Sequence, residues 1–236
     1  MLFPDISGYV LAGGRSTRMG RDKALLQLAG EPLIRHAVRK LHRLVGEVSI
    51  LGSRPELGAF APLVSDIRDP CGPLGGMEAA LINSRHEWVL IMPVDMPFVP
   101  AALLENWIGQ VKKHDAARVG FFSVDGTPQP ALCLLHKEIR SYLTKAADDG
   151  RFKLYPVFEE AAHAVTVQCR AVFCDVFRMR EWNEKSVLDL LTELNATGQS
   201  NKISPAQRDA SHLWFSNLNT PGEFAVAELH SDALDI

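Results

Sequence analysis

The chain has 236 residues, 47% of them apolar, which suits one large or two small domains built on a sizeable core. Its 25 Lys and Arg against 28 Asp and Glu leave a formal charge of −3, so no global basic field marks it as a nucleic-acid binder. No stretch is long and apolar enough to span a bilayer, and residues 1–8, with Pro4, Asp5 and no basic start, do not read as a signal peptide.

Residues 8–12 predict a buried first strand. Residues 13–22 follow as a loop with Gly13, Gly14 and Gly20, and with Arg15, Arg18, Arg21 and then Lys23. Glycines let the backbone turn tightly and offer N–H groups, and the cations add charge, so the segment suits a triphosphate. It is not a Walker A loop, because no Gly-Lys-Ser/Thr closes it, and the dinucleotide pattern G-x-G-x-x-G is absent. Asp22 reads either as a residue that orients Lys23 or as a solvated surface carboxylate.

Pro32 opens a predicted helix over 33–45, with Leu33, Ile34, Ala37, Val38, Leu41 and Leu44 at helical spacing. Short strands follow at 48–51 and 63–64, then a loop over 66–76 and a helix over 76–84. In that loop, Gly72-Pro73-Leu74-Gly75-Gly76 is either a plain turn or a place where a ligand approaches a helix N-terminus closely. Five apolar residues at 88–92, Trp88 among them, predict a buried strand ahead of Pro93. Asp95 lies just past it, where a carboxylate has no packing role. It is a turn residue or cap, or a hard oxygen ligand for Mg²⁺. A helix is predicted over 103–113. The alternation of strands and helices predicts a three-layer α/β fold: a mostly parallel twisted sheet, helices on both faces, and functional loops at the strands' carboxyl ends. The glycine loop and Asp95 both fall at such ends.

The second half is less regular. Strands are predicted at 119–124 and 130–135 around an Asp125-Gly126 turn, and a helix over 136–147. The polar run 197–211 reads as a mobile loop, and 229–236 as a fraying end. Asn219 is either a metal oxygen ligand or, with Thr220, Pro221 and Glu223, part of a helix N-cap. The cysteines at 71, 133, 169 and 174 form no C-x-x-C pair and read as buried thiols in a reducing cytosol. The eight histidines form no metal-binding pattern and read as surface or core residues. The expected organisation is a single domain over 1–236 with an irregular or inserted segment within 169–212.

Residues 11–23 match L-A-G-G-x-x-x-R-M-G-x-D-K throughout. Gly30-Glu31-Pro32-Leu33, Gly72-Pro73-Leu74-Gly75-Gly76, Val94-Asp95-Met96-Pro97-Phe98 and Asn217-Leu218-Asn219-Thr220-Pro221 follow in order. On these motifs the chain resembles the molybdenum cofactor guanylyltransferases of the nucleotidyltransferase superfamily. The resemblance implies a cytoplasmic enzyme with a Rossmann-like nucleotidyltransferase fold. It would transfer GMP from GTP to the terminal phosphate of molybdenum-loaded molybdopterin and release pyrophosphate. It implies that Arg18 and loop N–H groups hold the β and γ phosphates, and that Lys23 reaches the α-phosphate. Leu11, Ala12, Gly13 and Gly14 would line the nucleotide, with Gly13 leaving room for a purine, since cytidylyl-transferring relatives read L-A-A-G. Asp66 would contact the nucleotide, and Asp95 and Asn219 would hold Mg²⁺. Partners implied are GTP, the molybdopterin acceptor, and transient contacts with cofactor-synthesis proteins or recipient molybdoenzymes, with no nucleic acid and no membrane. Where the family often carries a nucleoside-binding Asn, this chain has Leu51, followed by Gly52-Ser53; the contact is lost or moved to Ser53. Other readings are a cytidylyltransferase of the same pathway, a sugar-phosphate nucleotidyltransferase, and a catalytically silent nucleotide-binding assembly partner of a molybdoenzyme.

Overall fold

A computed structural model describes residues 2–12, 22–68 and 71–235, and of Ser200 the backbone alone. The first strand, β1 (Phe3–Leu11), begins earlier than its apolar core suggests. A short hairpin follows, β2 (Gln27–Leu28) and β3 (Glu31–Pro32), with Ala29 and Gly30 both at positive φ in its turn. It delivers the chain into α1 (Leu33–Leu44), whose N-cap is Pro32. Next come β4 (Val45–Leu51), β5 (Leu63–Val64), α2 (Pro73–Asn83), β6 (Trp88–Pro93) and α3 (Ala101–Lys112). The second half holds β7 (Val119–Val124), β8 (Thr127–His136), α4 (Arg140–Asp148), α5 (Leu154–Cys169), α6 (Phe173–Val176), β9 (Phe177–Trp182), α7 (Glu184–Ala196), α8 (Pro205–Asp209) and α9 (Pro221–Glu228).

Seven strands form one sheet in the order β5-β4-β1-β6-β8-β7-β9. Only β8 runs against its neighbours, because the Asp125-Gly126 turn, with both residues at positive φ, folds β7 and β8 into a hairpin. The central strands are buried on both faces, as parallel strands with crossover helices require. Along β6, Trp88, Leu90 and Met92 join the core that contains α1 and α3. Val89 and Ile91 join the opposite core, with α2, α4 and α5. That period of two makes β6 a continuous apolar run.

Several expectations are corrected. The helix expected from Gly76 starts at Pro73, which takes the first helical position behind Gly72. Gly72 has φ +55°, a conformation that only glycine adopts without strain. Most of the expected glycine loop is therefore the first turn of α2. The region within 169–212 is regular: it contains α6, the edge strand β9, α7 with an Asn183–Ser186 capping box, and α8. The expected mobile loop at 197–211 folds into the turn Ser200–Lys202 and α8. Ile203 and Ala210 are buried there, and Ser204 and Gln207 cap α8 reciprocally. The Ser-x-x-Gln spacing is the sequence signal for that cap. The expected fraying end is packed as far as residue 235, with Ala233 and Leu234 buried. Two cysteines, Cys71 and Cys133, are buried as expected, but Cys169 and Cys174 are exposed. Among the described residues, no helix is long and apolar enough to cross a membrane.

Gly8 sits mid-strand in β1, where a Cβ would lie 2.7 Å from Val45 Cγ2. Val45 is β-branched and fully buried, so it cannot swing aside cheaply. Gly8→Ala should destabilise the fold by about 1–3 kcal/mol in urea unfolding, with an unchanged m-value.

Candidate active site

The parallel register aligns the carboxyl ends of four strands. Leu11 is level with Leu51 on β4 and with Pro93 on β6, and Leu51 is level with Val64 on β5. The residues just past this row are Ala12, Gly52 and Ser53, Ser65 and Asp66, and Val94 and Asp95. The loops that matter are therefore gathered by strand pairing alone. Gly13, Gly14, Arg15, Arg18, Gly20 and Arg21 lie outside the described residues.

Lys23 opens a single 3-10 turn, Lys23–Leu25. Asp22 is its N-cap: one carboxylate oxygen accepts the Ala24 N–H at 2.9 Å, and the other pairs with Arg54. Of the two sequence readings of Asp22, the solvated surface carboxylate is the one that fails: the side chain is largely buried against Arg54. Asp22 orients Lys23 through the backbone, by capping the turn that presents it. Arg54 also donates to the Ala12 carbonyl at 2.5 Å. One guanidinium thus ties the end of β1 to the turn that carries Lys23. Sequence reasoning missed Arg54. Its signal was a lone cation just past the carboxyl end of β4.

Lys23 Nζ donates to Asp95 Oδ2 at 2.5 Å and to Asn219 Oδ1 at 2.7 Å. These three expected residues come from sequence positions far apart, and the fold brings them to one point. The side chains of Lys23 and Asp95 are only 15% and 21% exposed, so the pair is largely sheltered from solvent screening. Two hard oxygens converge on one cationic centre, which is the donor chemistry that suits Mg²⁺. Asp95 is held by its backbone on both sides. Val94 N–H donates to the Leu11 carbonyl at 3.1 Å, and the Asp95 carbonyl accepts the Leu218 N–H at 3.0 Å.

Asn219 is positioned by the cap of α9. Glu223 accepts the Asn219 and Thr220 N–H groups at 2.5 and 2.7 Å, while Thr220 Oγ1 accepts the Glu223 N–H. The cap belongs to Thr220, so the Asn219 side chain is left to face Lys23. The N-cap role thus falls to Thr220, and the Asn219 side-chain carbonyl oxygen accepts from Lys23.

Asp66 stands apart from this cluster. It lies beyond β5, three strand spacings or roughly 14 Å along the row from Asp95. One of its oxygens lies 3.6 Å from where a Cβ on Gly75 would be, which places it at the first turn of α2. Arg68 anchors the same segment through buried Glu78 on α2, at 2.9 Å, and through Asp148 on α4. Leu11 and Ala12 both have their carbonyls engaged, by Val94 and Arg54. Any base reading there falls to a remaining lone pair or to an N–H group. Leu51 is buried and packs at Gly76, so its side chain belongs to the core, while Ser53 is exposed at the edge.

Comparison with known proteins identifies the family and the fold. The sequence profile of the MobA-like NTP transferase domain matches residues 8–165. The chain is 36% identical over 166 residues to the molybdenum cofactor guanylyltransferase of Serratia proteamaculans, covering 68% of this chain and 82% of that one. It is 34% identical over 161 residues to the enzyme of the same name from Vibrio cholerae, covering 66% and 78%. In fold it is similar to molybdopterin-guanine dinucleotide biosynthesis protein A from Archaeoglobus fulgidus, with a TM-score of 0.68, 19% identity, and 97% and 100% of the two chains covered. It is also similar to 4-diphosphocytidyl-2C-methyl-D-erythritol synthase from Anaerococcus prevotii, at a TM-score of 0.59, 11% identity, and 97% and 96% coverage.

The Asn219 and Thr220 N–H groups hold the Glu223 carboxyl below the ordinary glutamate value of 4.5. The unfolded chain therefore takes up that proton more readily than the folded one. The stabilisation is fully present above about pH 4.5 and is lost as pH falls through the folded value. Glu223→Gln should flatten this acid limb, measured as Tm between about pH 6 and pH 3. A native limb that persists in the variant would show that the cap does not act through this charge.

Proposed function

The chain belongs to the MobA-like NTP transferase family, and on that premise we infer that it is a molybdenum cofactor guanylyltransferase. It transfers GMP from GTP to the terminal phosphate of molybdenum-loaded molybdopterin, and pyrophosphate leaves. The observation that carries the site assignment is the convergence of Lys23, Asp95 and Asn219 beyond the carboxyl ends of β1 and β6.

The acceptor's phosphate monoester is already anionic at neutral pH, with a second pKa near 6. It needs no general base to attack the α-phosphorus in line. What the reaction needs is placement and neutralisation of charge on the five-coordinate phosphorus. Lys23 supplies a fixed positive charge, made rigid by the Asp22 cap and by Arg54. Asp95 and Asn219 would hold Mg²⁺, which would neutralise triphosphate charge and orient the leaving pyrophosphate. Arg18 and the N–H groups of Gly13 and Gly14 would bind the outer phosphates. Leu11, Ala12 and Asp66 would contact the nucleoside portion. The whole chain acts as one transferase unit in this reading, with the segment around Asn219 completing a site begun at Lys23.

The test is pyrophosphate release from GTP with the loaded acceptor. Release should require both substrates, and CTP should support it poorly. Preference for CTP would point to the cytidylyl-transferring relatives, and no release with any nucleotide would point to a silent assembly partner. Lys23→Ala and Asp95→Ala should each lower turnover about 100-fold or more. Each should change stability by no more than about 1 kcal/mol, the range of a sheltered but not buried ion pair. Near-native turnover in either variant would remove that residue from the mechanism.

A further inference from the structure

Lys40 on α1 is only 1% exposed. An ammonium in that position is costly unless it is fully paired. Its Nζ donates to the carbonyls of Pro97 and Val99, both at 2.5 Å, and lies 3.6 Å from Asp235 Oδ2. Pro97 and Val99 belong to the segment between Asp95 and α3. In the hydrogen bonds described, these two carbonyls find their partner in Lys40 and not in a strand or helix. Lys40 is therefore a clamp on the segment that carries Asp95.

Asp235, itself 7% exposed, closes the clamp from the far end of the sequence. Its Oδ2 accepts the Ala101 N–H at 2.7 Å, and its Oδ1 accepts from Gln207 Nε2 at 2.8 Å. Arg43 Nη1 stands 3.7 Å from Oδ1. The N-cap of α3 is Pro100, which has no side chain to offer, so Asp235 supplies the missing anion at that helix N-terminus. Burial pulls the Lys40 ammonium below its ordinary pKa, while the charge on Asp235 pushes it back up. Seventeen residues earlier, Leu218 donates to the Asp95 carbonyl. The same carboxyl-terminal stretch thus grips the Asp95 loop at both ends, at Asp95 itself and at Ala101.

We propose that Asp235 and Lys40 are positioning residues for nucleotidyl transfer, a buried latch by which the carboxyl-terminal stretch fixes the loop bearing Asp95. The proposal rests on the reading of Asp95 as an active-site residue. Neither latch residue touches the Lys23–Asp95–Asn219 cluster; both act through the backbone of residues 97–101.

The experiment compares the native chain with Asp235→Ala and Asp235→Asn. Asparagine keeps an oxygen for the Ala101 N–H but removes the charge facing Lys40. Pyrophosphate release from GTP and the loaded acceptor, per folded molecule, should fall about tenfold or more in Asp235→Ala and less in Asp235→Asn. The loss should lie in kcat and not in KM for the acceptor. Hydrogen exchange at the Leu218 amide should quicken about tenfold, while the Val10 and Ile50 amides in the central strands stay as they are. Unchanged turnover per folded molecule in both variants overturns the proposal. So does unchanged Leu218 exchange, or a rise that is equal across the sheet, which would mark a purely structural role. If Asp235→Ala does not fold, Asp235→Asn carries the comparison. A native chain that releases no pyrophosphate overturns the guanylyltransferase reading instead, and Leu218 exchange then decides the latch alone.

Discussion

The parallel pairing of β1 with both β4 and β6 is the constraint on which the rest of this molecule depends. Two parallel neighbours put three carboxyl ends on one edge, and β5 adds a fourth. Every connection leaving that edge must then run over the same surface. Helices packed on both faces cover the central strands, so the loops leaving that edge stay on it. The Lys23 turn, Arg54 and Asp95 meet, and Asp66 reaches the same edge of the sheet, as a result of that topology before any side-chain contact is made.

Side-chain contacts then convert proximity into fixed geometry. Asp22 and Arg54 hold the turn at Lys23, and Glu223 and Thr220 hold the loop at Asn219 ahead of α9. Backbone hydrogen bonds from Val94 and to Asp95 hold the third side. These supporting groups are charged or strongly polar, and they satisfy the orphan donors of helix starts and loop carbonyls. An electrostatic site gains most when its charges need not reorganise as the reaction proceeds. The capped and bridged loops around Lys23 meet that requirement.

The carboxyl-terminal third contributes more than its sequence suggests. It begins with the end of α5 and the edge strand β9, continues through two capped helices, and returns to the carboxyl edge at Asn219. From there α9 and the turn Ser231–Ala233 bring Asp235 to the N-terminus of α3. A stretch largely outside the span matched by the family profile thus supplies one side chain of the central cluster and the anion opposite Lys40.

The amino-acid sequence alone determined the class of fold, because apolar periodicity is a local property. The 88–92 run, the amphipathic 33–44 helix and the Asp125-Gly126 hairpin are each legible over a few residues. It also marked Lys23, Asp95 and Asn219 as candidates, since their motifs are short and ordered. It did not show that Asp22 serves a cap and Arg54, that Leu51 is core, or that residues 197–211 are folded. Those outcomes depend on partners far away along the chain. A polar run with few apolar residues, Ile203 and Ala210 among them, reads as a loop until α8 finds the core that receives them. Asp235 reads as a fraying acid until Lys40, nearly two hundred residues earlier, is seen to need a counter-charge. Tertiary structure decided these points because burial and pairing are properties of places in the fold and not of positions in the sequence.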